Sequence, residues 1–262
     1  MKSFYNSPEY SCTPAVSRWP CLVLLTCLAL CSPWQFVLAE SDSPLKTFSA
    51  EYTVENDYIT GGDATLSLLE NNEGLFDFVL QTLPTGIFKW TGKGNIREHA
   101  ILPNLTYPFE SIRYNYTDKG DSDRNYQIDF NRNGSEFSIT RNSQTAIESL
   151  KPGTLDRLSV TLVILHEIQQ NPDLSTIEAN ILSGDQAQKI VFSNEGTETV
   201  ETGLGEKEAI RIHKKREASN RRTIIWLAPV TPNGQVIPVK IEQFKRDKLT
   251  MRLMLTKFSA VE

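Results

Sequence analysis

"LKPGTLDRLSVTLVILHEIQQNP", residues 150–172, is the one stretch with helical spacing in a chain that otherwise reads as short strands. Pro152 and Gly153 end whatever precedes it. Thr154 stands where an N-cap belongs, and Asp156 falls in the first turn, at the positive end of the helix dipole. Arg157 occupies the place where a reciprocal capping box would need Glu or Gln. Asn171-Pro172 stops the run. The spacing therefore predicts a helix over about residues 155–170.

That helix is apolar on two sides. Leu155, Leu158, Leu162 and Leu165 form one stripe at 100° per residue; Val160, Ile164 and Ile168 form a second, nearly opposite. A helix on the outside of a sheet needs only one such stripe. Two stripes predict walls on two sides, and the simplest geometry is a helix lying in the concavity of a bent sheet. Either both stripes are ordinary core, or one lines an apolar ligand cavity. Leu158, Leu162, Ile164, Leu165 and Ile168, joined by Trp226 from a strand, are the candidate lining.

The same helix carries Asp156, Ser159 and His166, which look like a catalytic triad and fail as one. Ser159 and His166 are seven residues apart, roughly 10 Å along the axis. A nucleophile and its base must stand about 3 Å apart.

Outward from the helix, strand patterns run in both directions. "TFSAEYTV" (47–54) alternates, with Phe48, Ala50, Tyr52 and Val54 on one face. "TGG" at 60–62 reads as a break before "DATLSLLE". "NNEG" at 71–74 reads as a hairpin turn into "LFDFVLQTL". "IFKWTGKGNIRE", "SIRYNYTD", "RNYQIDF" and "SEFSITRN" continue the series. Beyond the helix come "QKIVFSN", "TETVETG", "KEAIRIHKK", "RRTIIWLA", "VIPVKIEQF" and "LTMRLMLTKF", with turns at "NEG", "GLGE", "EASN", "PNG" and "RDK". The expected fold is mainly β: roughly a dozen strands in a strongly curved, open, antiparallel, barrel-like sheet wrapping one main helix.

Residues 1–39 read as a cleaved signal peptide: Lys2 and Arg18 supply positive charge, "CLVLLTCLALC" an apolar core, and "FVLAES" a small-residue cut after Ala39. Cys27 and Cys31 raise a lipid-anchored form, but Thr26 and Leu30 stand where lipoprotein processing wants a small residue. Simple cleavage fits better. Residues 40–262 then form a single β-rich domain in the periplasm. All four cysteines lie in the leader, so the domain has no disulfide and no thiol nucleophile. Its acids outnumber its bases, which disfavours general nucleic-acid binding.

The chemistry-bearing residues are sparse. His99, His166 and His213 have no metal-ligand spacing. "DKGDSD" at 118–123 lacks the calcium-loop pattern. No phosphate-cradling loop, nucleophile elbow or dinucleotide fingerprint occurs. No enzyme activity, cofactor or metal is expected. "HKKREASNRR" at 213–222 gathers Lys214, Lys215, Arg216, Arg221 and Arg222 at one hairpin tip. It reads as a solvated loop or as a peripheral contact with anionic head groups or an acidic partner. "YPFESIRYNY" at 107–116 concentrates aromatics, as core or as a partner patch.

Three stretches carry a resemblance: "LKPGTLDRLSVTLVILHEI", "TGLGEKEAIRI" and "IIWLAPVTPNGQVIPVKIE". In this order they resemble the exported bacterial family known as domain of unknown function 3108, and "GGDATLSL" and "YQIDF" fit its N-terminal half. The likeness spans roughly residues 45–258. The positions that match are Asp156 at the helix entry, Gly203 and Gly205 in the turn, and Trp226, Pro229 and Pro238 in the hairpin, all structural. The resemblance implies a Gram-negative envelope protein and supplies no catalytic residue.

The expected function is a non-enzymatic periplasmic binding or chaperone-like protein, with an apolar or lipid-type ligand. The alternative is an envelope interaction or scaffold protein with a dry core and no small-molecule ligand.

Overall fold

A computed structural model describes residues 45–261, apart from 57–58, 87–88, 90–93, 185 and 216–219. All of the described residues belong to one compact unit, Ser41–Glu262. The leader, with Cys27 and Cys31, lies outside them, as does Arg216.

The chain runs β1 (Phe48–Asn56), β2 (Ile59–Glu70), β3 (Phe76–Pro84), β4 (Ile96–Leu102), β5 (Arg113–Asp118), β6 (Tyr126–Asn131), β7 (Glu136–Arg141), β8 (Gln144–Ser149) and β9 (Thr154–Leu155). The helix α1 (Val160–Gln170) follows. Then come β10 (Thr176–Ser183), β11 (Gln186–Val200), β12 (Lys207–Lys215), β13 (Arg221–Pro229), β14 (Val236–Lys245) and β15 (Lys248–Ala260). All fifteen strands join one open, curved sheet in the order β8-β7-β6-β5-β4-β3-β2-β1-β15-β14-β13-β12-β11-β10-β9. Every pairing is antiparallel except the short β9–β10 contact. The first strand pairs with the last in the middle of the sheet, from Phe48 opposite Ala260 to Glu55 opposite Arg252.

Period-two alternation places one apolar row per strand on a common face. Phe48, Ala50 and Tyr52 of β1 are buried beside Ala64, Leu66 and Leu68 of β2 and Leu253 and Leu255 of β15. These residues and the helix belong to one hydrophobic cluster. On α1, Leu162, Ile164, Leu165 and Ile168 are all fully buried, so both stripes meet protein. The helix lies near β10 and β14. On another side the 102–111 segment covers it: the Tyr107 ring stacks on His166 at 4.5 Å, and Phe109 meets that histidine edge-on at 5.7 Å.

The helix begins later than the spacing predicts. Thr154 and Leu155 form β9, and α1 starts at Val160 with Ser159 as its N-cap. The reason is Asp156. Its Oδ1 accepts the backbone N–H groups of Leu158 and Ser159, both at 2.8 Å, and so closes a turn ahead of the helix. Capping falls to a carboxylate three residues upstream of Ser159, because the Ser159 side chain makes no cap bond.

Other boundaries differ for local reasons. "TGG" does not break a strand: Thr60–Gly62 belong to β2, whose register against β1 shifts at that point. Gly62 is needed there, since a Cβ on it would lie 2.4 Å from the Leu83 carbonyl oxygen. "NEG" is a bulge and not a turn, so "QKIVFSN" and "TETVETG" are one strand, β11. Gly196 takes φ +91° and donates its N–H to Asn194 Oδ1 at 2.9 Å. "NNEG" and "RDK" do turn: Asn71 Oδ1 accepts from Glu73 and Leu75, and Arg246 and Asp247 carry the paired positive φ of a tight hairpin.

Candidate functional site

A cavity of about 550 Å³ opens between the two halves of the sheet. Val54 of β1, Leu80 and Thr82 of β3, Ile96 and Glu98 of β4 and Tyr116 of β5 supply one wall. Ile181 of β10, Lys214 of β12, Thr223 of β13, Phe244 of β14 and Met251 of β15 supply the other. Its size falls within the range of about 300–1,000 Å³ typical of small-molecule sites.

The lining is amphipathic. Val54, Leu80, Ile96, Ile181, Phe244 and Met251 make apolar ground. Among the described residues, Arg124, Arg157, Lys214, Arg221, Arg222 and Lys245 bring six cations to the lining beside the carboxylate of Glu98. The whole chain has the opposite sign, with a formal charge of −5. Asp118 pairs with Arg124 at 3.0 Å, and Asp247 stands 3.9 Å from Arg222.

Arg157 and Glu98 form an ion pair at 3.2 Å, with Glu98 nearly buried. The hydroxyl of Tyr114 donates to the other oxygen of Glu98 at 2.5 Å. The Arg157 guanidinium sits 5.3 Å from the centre of the Tyr116 ring. Burial opposes the charge on Arg157, yet the Glu98 carboxylate and the phenols of Tyr114 and Tyr126 outweigh it and raise its pKa. Tyr114 is also raised well above the ordinary phenol value, by burial first and then by the neighbouring Glu98. Burial likewise raises Tyr116 and Tyr126. The phenols of Tyr114, Tyr116 and Tyr126 thus stay neutral at physiological pH beside the Arg157–Glu98 ion pair.

The residues singled out from sequence separate into two groups. The apolar candidates Leu158, Leu162, Ile164, Leu165 and Ile168 lie in the hydrophobic core, and none lines the cavity. Trp226 also stands away from it. It faces oppositely to its neighbours Ile225 and Leu227 on β13. Its indole N–H donates to Glu198, and Lys240 Nζ lies 4.3 Å from its ring centre. From Lys240 a chain of ion pairs continues through Glu242 (3.0 Å) and Arg252 (2.8 Å) to Glu55 (3.1 Å). This charged cover explains why five consecutive residues of β13, Ile224–Ala228, are buried on both faces.

The cations of the basic hairpin do come to the cavity: Lys214, Arg221 and Arg222 are all in its lining. In the backbone register Lys215 lies opposite Arg222 at the end of β12. Arg124, Arg157 and Lys245 were not among the sequence candidates. Lys245 could have been found by alternation from Ile241 and Gln243; Arg124 and Arg157 carry no local signal.

The apparent triad is dispersed. Asp156 is fully buried and accepts from the Ser111 hydroxyl, while Ser111 and Ser159 share a hydrogen bond at 2.9 Å. Arg132 ties the same region together by donating to the carbonyls of Thr154 (3.1 Å) and Ser111 (3.4 Å). His166 is engaged with Tyr107 and Phe109. In "DKGDSD", Asp118 accepts from Gly120 N–H at 3.0 Å and pairs with Arg124. Among the described residues no group of His, Cys, Asp or Glu is placed to hold a metal ion. In "YPFESIRYNY", Phe109, Tyr114 and Tyr116 are buried and Tyr107 is exposed.

The matched glycines and prolines act on the backbone. Gly203 N–H donates to the Leu255 carbonyl at 2.8 Å, docking the β11–β12 turn on β15. Gly205 turns the chain at φ +84°. Pro229 ends β13 opposite Val236, and the Pro238 carbonyl accepts from Tyr52.

Comparison with known proteins agrees with this fold. The profile of a family described as protein of unknown function, DUF3108, matches residues 47–254. No curated protein matches the chain. A crystal structure of a β-barrel-like protein of domain of unknown function DUF1849, from Brucella abortus, aligns with a TM-score of 0.51 at 12% identity. The alignment covers 83% of this chain and 99% of that one. The crystal structure of MucB aligns more loosely, with a TM-score of 0.32 at 11% identity, over 84% of this chain and 55% of that one.

Proposed function

We propose a function for a chain that belongs to the DUF3108 family of unknown function: a non-enzymatic periplasmic binding or chaperone-like protein that takes an apolar or lipid-type ligand. The observation that carries the proposal is the cavity between the sheet halves, whose apolar ground is formed by Val54, Leu80, Ile96, Ile181, Phe244 and Met251. The leader read at residues 1–39 supports the compartment. The absence of a credible nucleophile–base pair around Ser159 and His166 supports a binding role over a catalytic one. An uncharged apolar dye such as N-phenyl-1-naphthylamine tests the binding role. Its fluorescence should rise with the purified protein, and the rise should fall when Leu80 and Met251 are both changed to Asp. No binding of the dye, and no lipid extracted from protein purified from cells, would sink it.

A second reading, an envelope interaction or scaffold protein, draws on one observation. Strand β8 is a sheet edge with all six residues exposed, and Ile147 is 66% exposed. An unpaired edge is a template for a partner strand. A photo-crosslinker at position 147 should then trap a defined envelope protein in cells.

A further inference from the structure

We propose that the free edge of β8 pairs with the same edge of a second copy of this chain, antiparallel about a two-fold axis at Ile147. This rests on the second reading above, in which β8 is a contact edge, and names the partner.

The backbone decides which residues can take part. Asn142 and Ser143, with φ +47° and +62°, form a two-residue hairpin turn between β7 and β8. Arg141 and Gln144 close it, and past the far end of the ladder Leu150 donates its N–H to the Ser135 carbonyl at 2.8 Å. An antiparallel ladder bonds at every second residue. Gln144, Ala146 and Glu148 therefore bond to β7, and Thr145, Ile147 and Ser149 turn their N–H and C=O groups outward. β8 is the last strand of the sheet, so among the described residues no strand meets them.

The edge is open. All six residues of β8 are exposed, and Ile147 is more exposed than any other large apolar residue among those described. Residues 144–149 contain no proline and no lysine, and the register with β7 runs without a bulge. Prolines, lysines and bulges are what ordinarily keep an edge from pairing.

The strand is complementary to itself. With the axis at Ile147, that residue faces Ile147 of the second copy, and Thr145 faces Ser149 of the second copy. Every outward N–H and C=O of β8 is then matched, the two isoleucines cover each other, and the hydroxyl residues make cross-strand pairs. An axis at Glu148 would set two carboxylates directly opposite each other, which is destabilising. An axis at Ala146 would leave Ser149 without a partner in the strand. The pairing also closes on itself. The other end of the sheet, β9, is two residues long, too short to receive β8 of another copy. The contact is therefore isologous and assembly stops at the dimer. Two six-residue strands bury less than the roughly 1,200–2,000 Å² of a stable interface, so the dimer is a weak one.

Sedimentation velocity on the protein without residues 1–39 should show the average mass rising from monomer toward dimer between about 10 μM and 1 mM. Ile147→Lys sets like charges opposite each other at the axis and should weaken dimerisation about tenfold or more. Its thermal unfolding at low concentration should match the wild type, because the residue is exposed. Residues 40–262 contain no cysteine, so an introduced one reports on the contact alone. Oxidation should link Ile147→Cys into a dimer and leave Ala146→Cys and Glu148→Cys unlinked, since neither of these positions faces its own copy. A monomer throughout the concentration range overturns the proposal. So does a dimer that Ile147→Lys leaves intact, or linkage at 146 or 148 in preference to 147. A monomer whose photo-crosslinker at position 147 traps a different protein in cells overturns the second copy and leaves the contact edge standing. A monomer that traps nothing overturns the contact edge as well.

Discussion

The hydroxyl of Tyr52 on β1 donates to the backbone carbonyl of Pro238 on β14 at 2.8 Å, reaching past β15, which lies between them in the sheet. Two irregularities make this possible. The β1–β15 register shifts at Glu51/Tyr52, and the β13–β14 register shifts at Trp226/Leu227, beside Pro238. A bulge bends its strand and tightens the local twist. A buried side chain can therefore join strands that are not neighbours. Tyr52→Phe keeps the ring and removes the donor, leaving a buried carbonyl unpaired. Urea denaturation should show a loss of about 1–3 kcal/mol.

Alkaline pH probes the same residue. Burial raises the Tyr52 pKa above its ordinary value of 10.0. Above that pH the unfolded chain releases a proton that the native state retains, so stability falls as pH rises. The contribution is intact below pH 10 and is lost progressively above it. Tyr114, raised mainly by burial, adds in the same direction. Plotted from pH 9 to 11.5, the stability of Tyr52→Phe should decline less steeply than that of the wild type. Parallel declines would count against the assignment.

Two nearby glycines should respond differently to alanine. A Cβ on Gly203 would lie 2.8 Å from Thr256 Cα and 3.0 Å from the Leu255 carbonyl oxygen, both backbone. Gly205 has open space but a φ of +84°. Gly203→Ala should separate the β11–β12 turn from β15 and cost about 1–3 kcal/mol through overpacking. Gly205→Ala meets only backbone strain, about 1 kcal/mol. Thermal unfolding of the two variants should rank them in that order. Hydrogen exchange should be faster at the backbone amide of position 203 in the first variant than at Gly203 in the wild type.

The helix provides a control for the cavity. Leu162 is fully buried and does not line it. Leu162→Ala should cost about 2–5 kcal/mol. Its affinity for an apolar probe, measured where the variant is still folded, should match the wild type. A selective loss of affinity would return the helix stripe to the binding site.

Much of the architecture was readable because burial on one face forces alternation. Phe48, Ala50 and Tyr52 announce β1 in this way. Three strands escaped, one of them Thr176–Ser183, although its Ile177, Ala179 and Ile181 alternate into the core. Gln144–Ser149 is exposed at every position, so no alternation marks it, and Thr154–Leu155 is too short to show any. The helix start was misjudged because Asp156 was read as a first-turn residue when it closes the turn before the helix. Its partner Ser111 lies 45 residues away, a distance no local pattern spans. At the cavity, Lys214 follows Ala209, Ile210 and Ile212 in β12, and period two from Ile212 turns it inward. The density of charge in "HKKREASNRR" masked that signal and favoured a solvated loop. The apolar candidates on the helix were sound as core, but periodicity alone cannot tell a stripe against side chains from one against a ligand.

The pairing of β1 with β15 has a consequence in time. The middle of the sheet joins residue 48 to residue 260, so its seam cannot be made until almost the whole chain has left the ribosome. The two flanking runs of hairpins can pair early, each from its own local contacts. Their union waits for the last thirteen-residue strand. Such long-range closure slows folding, and a chain that loses its C-terminal strand is left with two half-sheets and no centre.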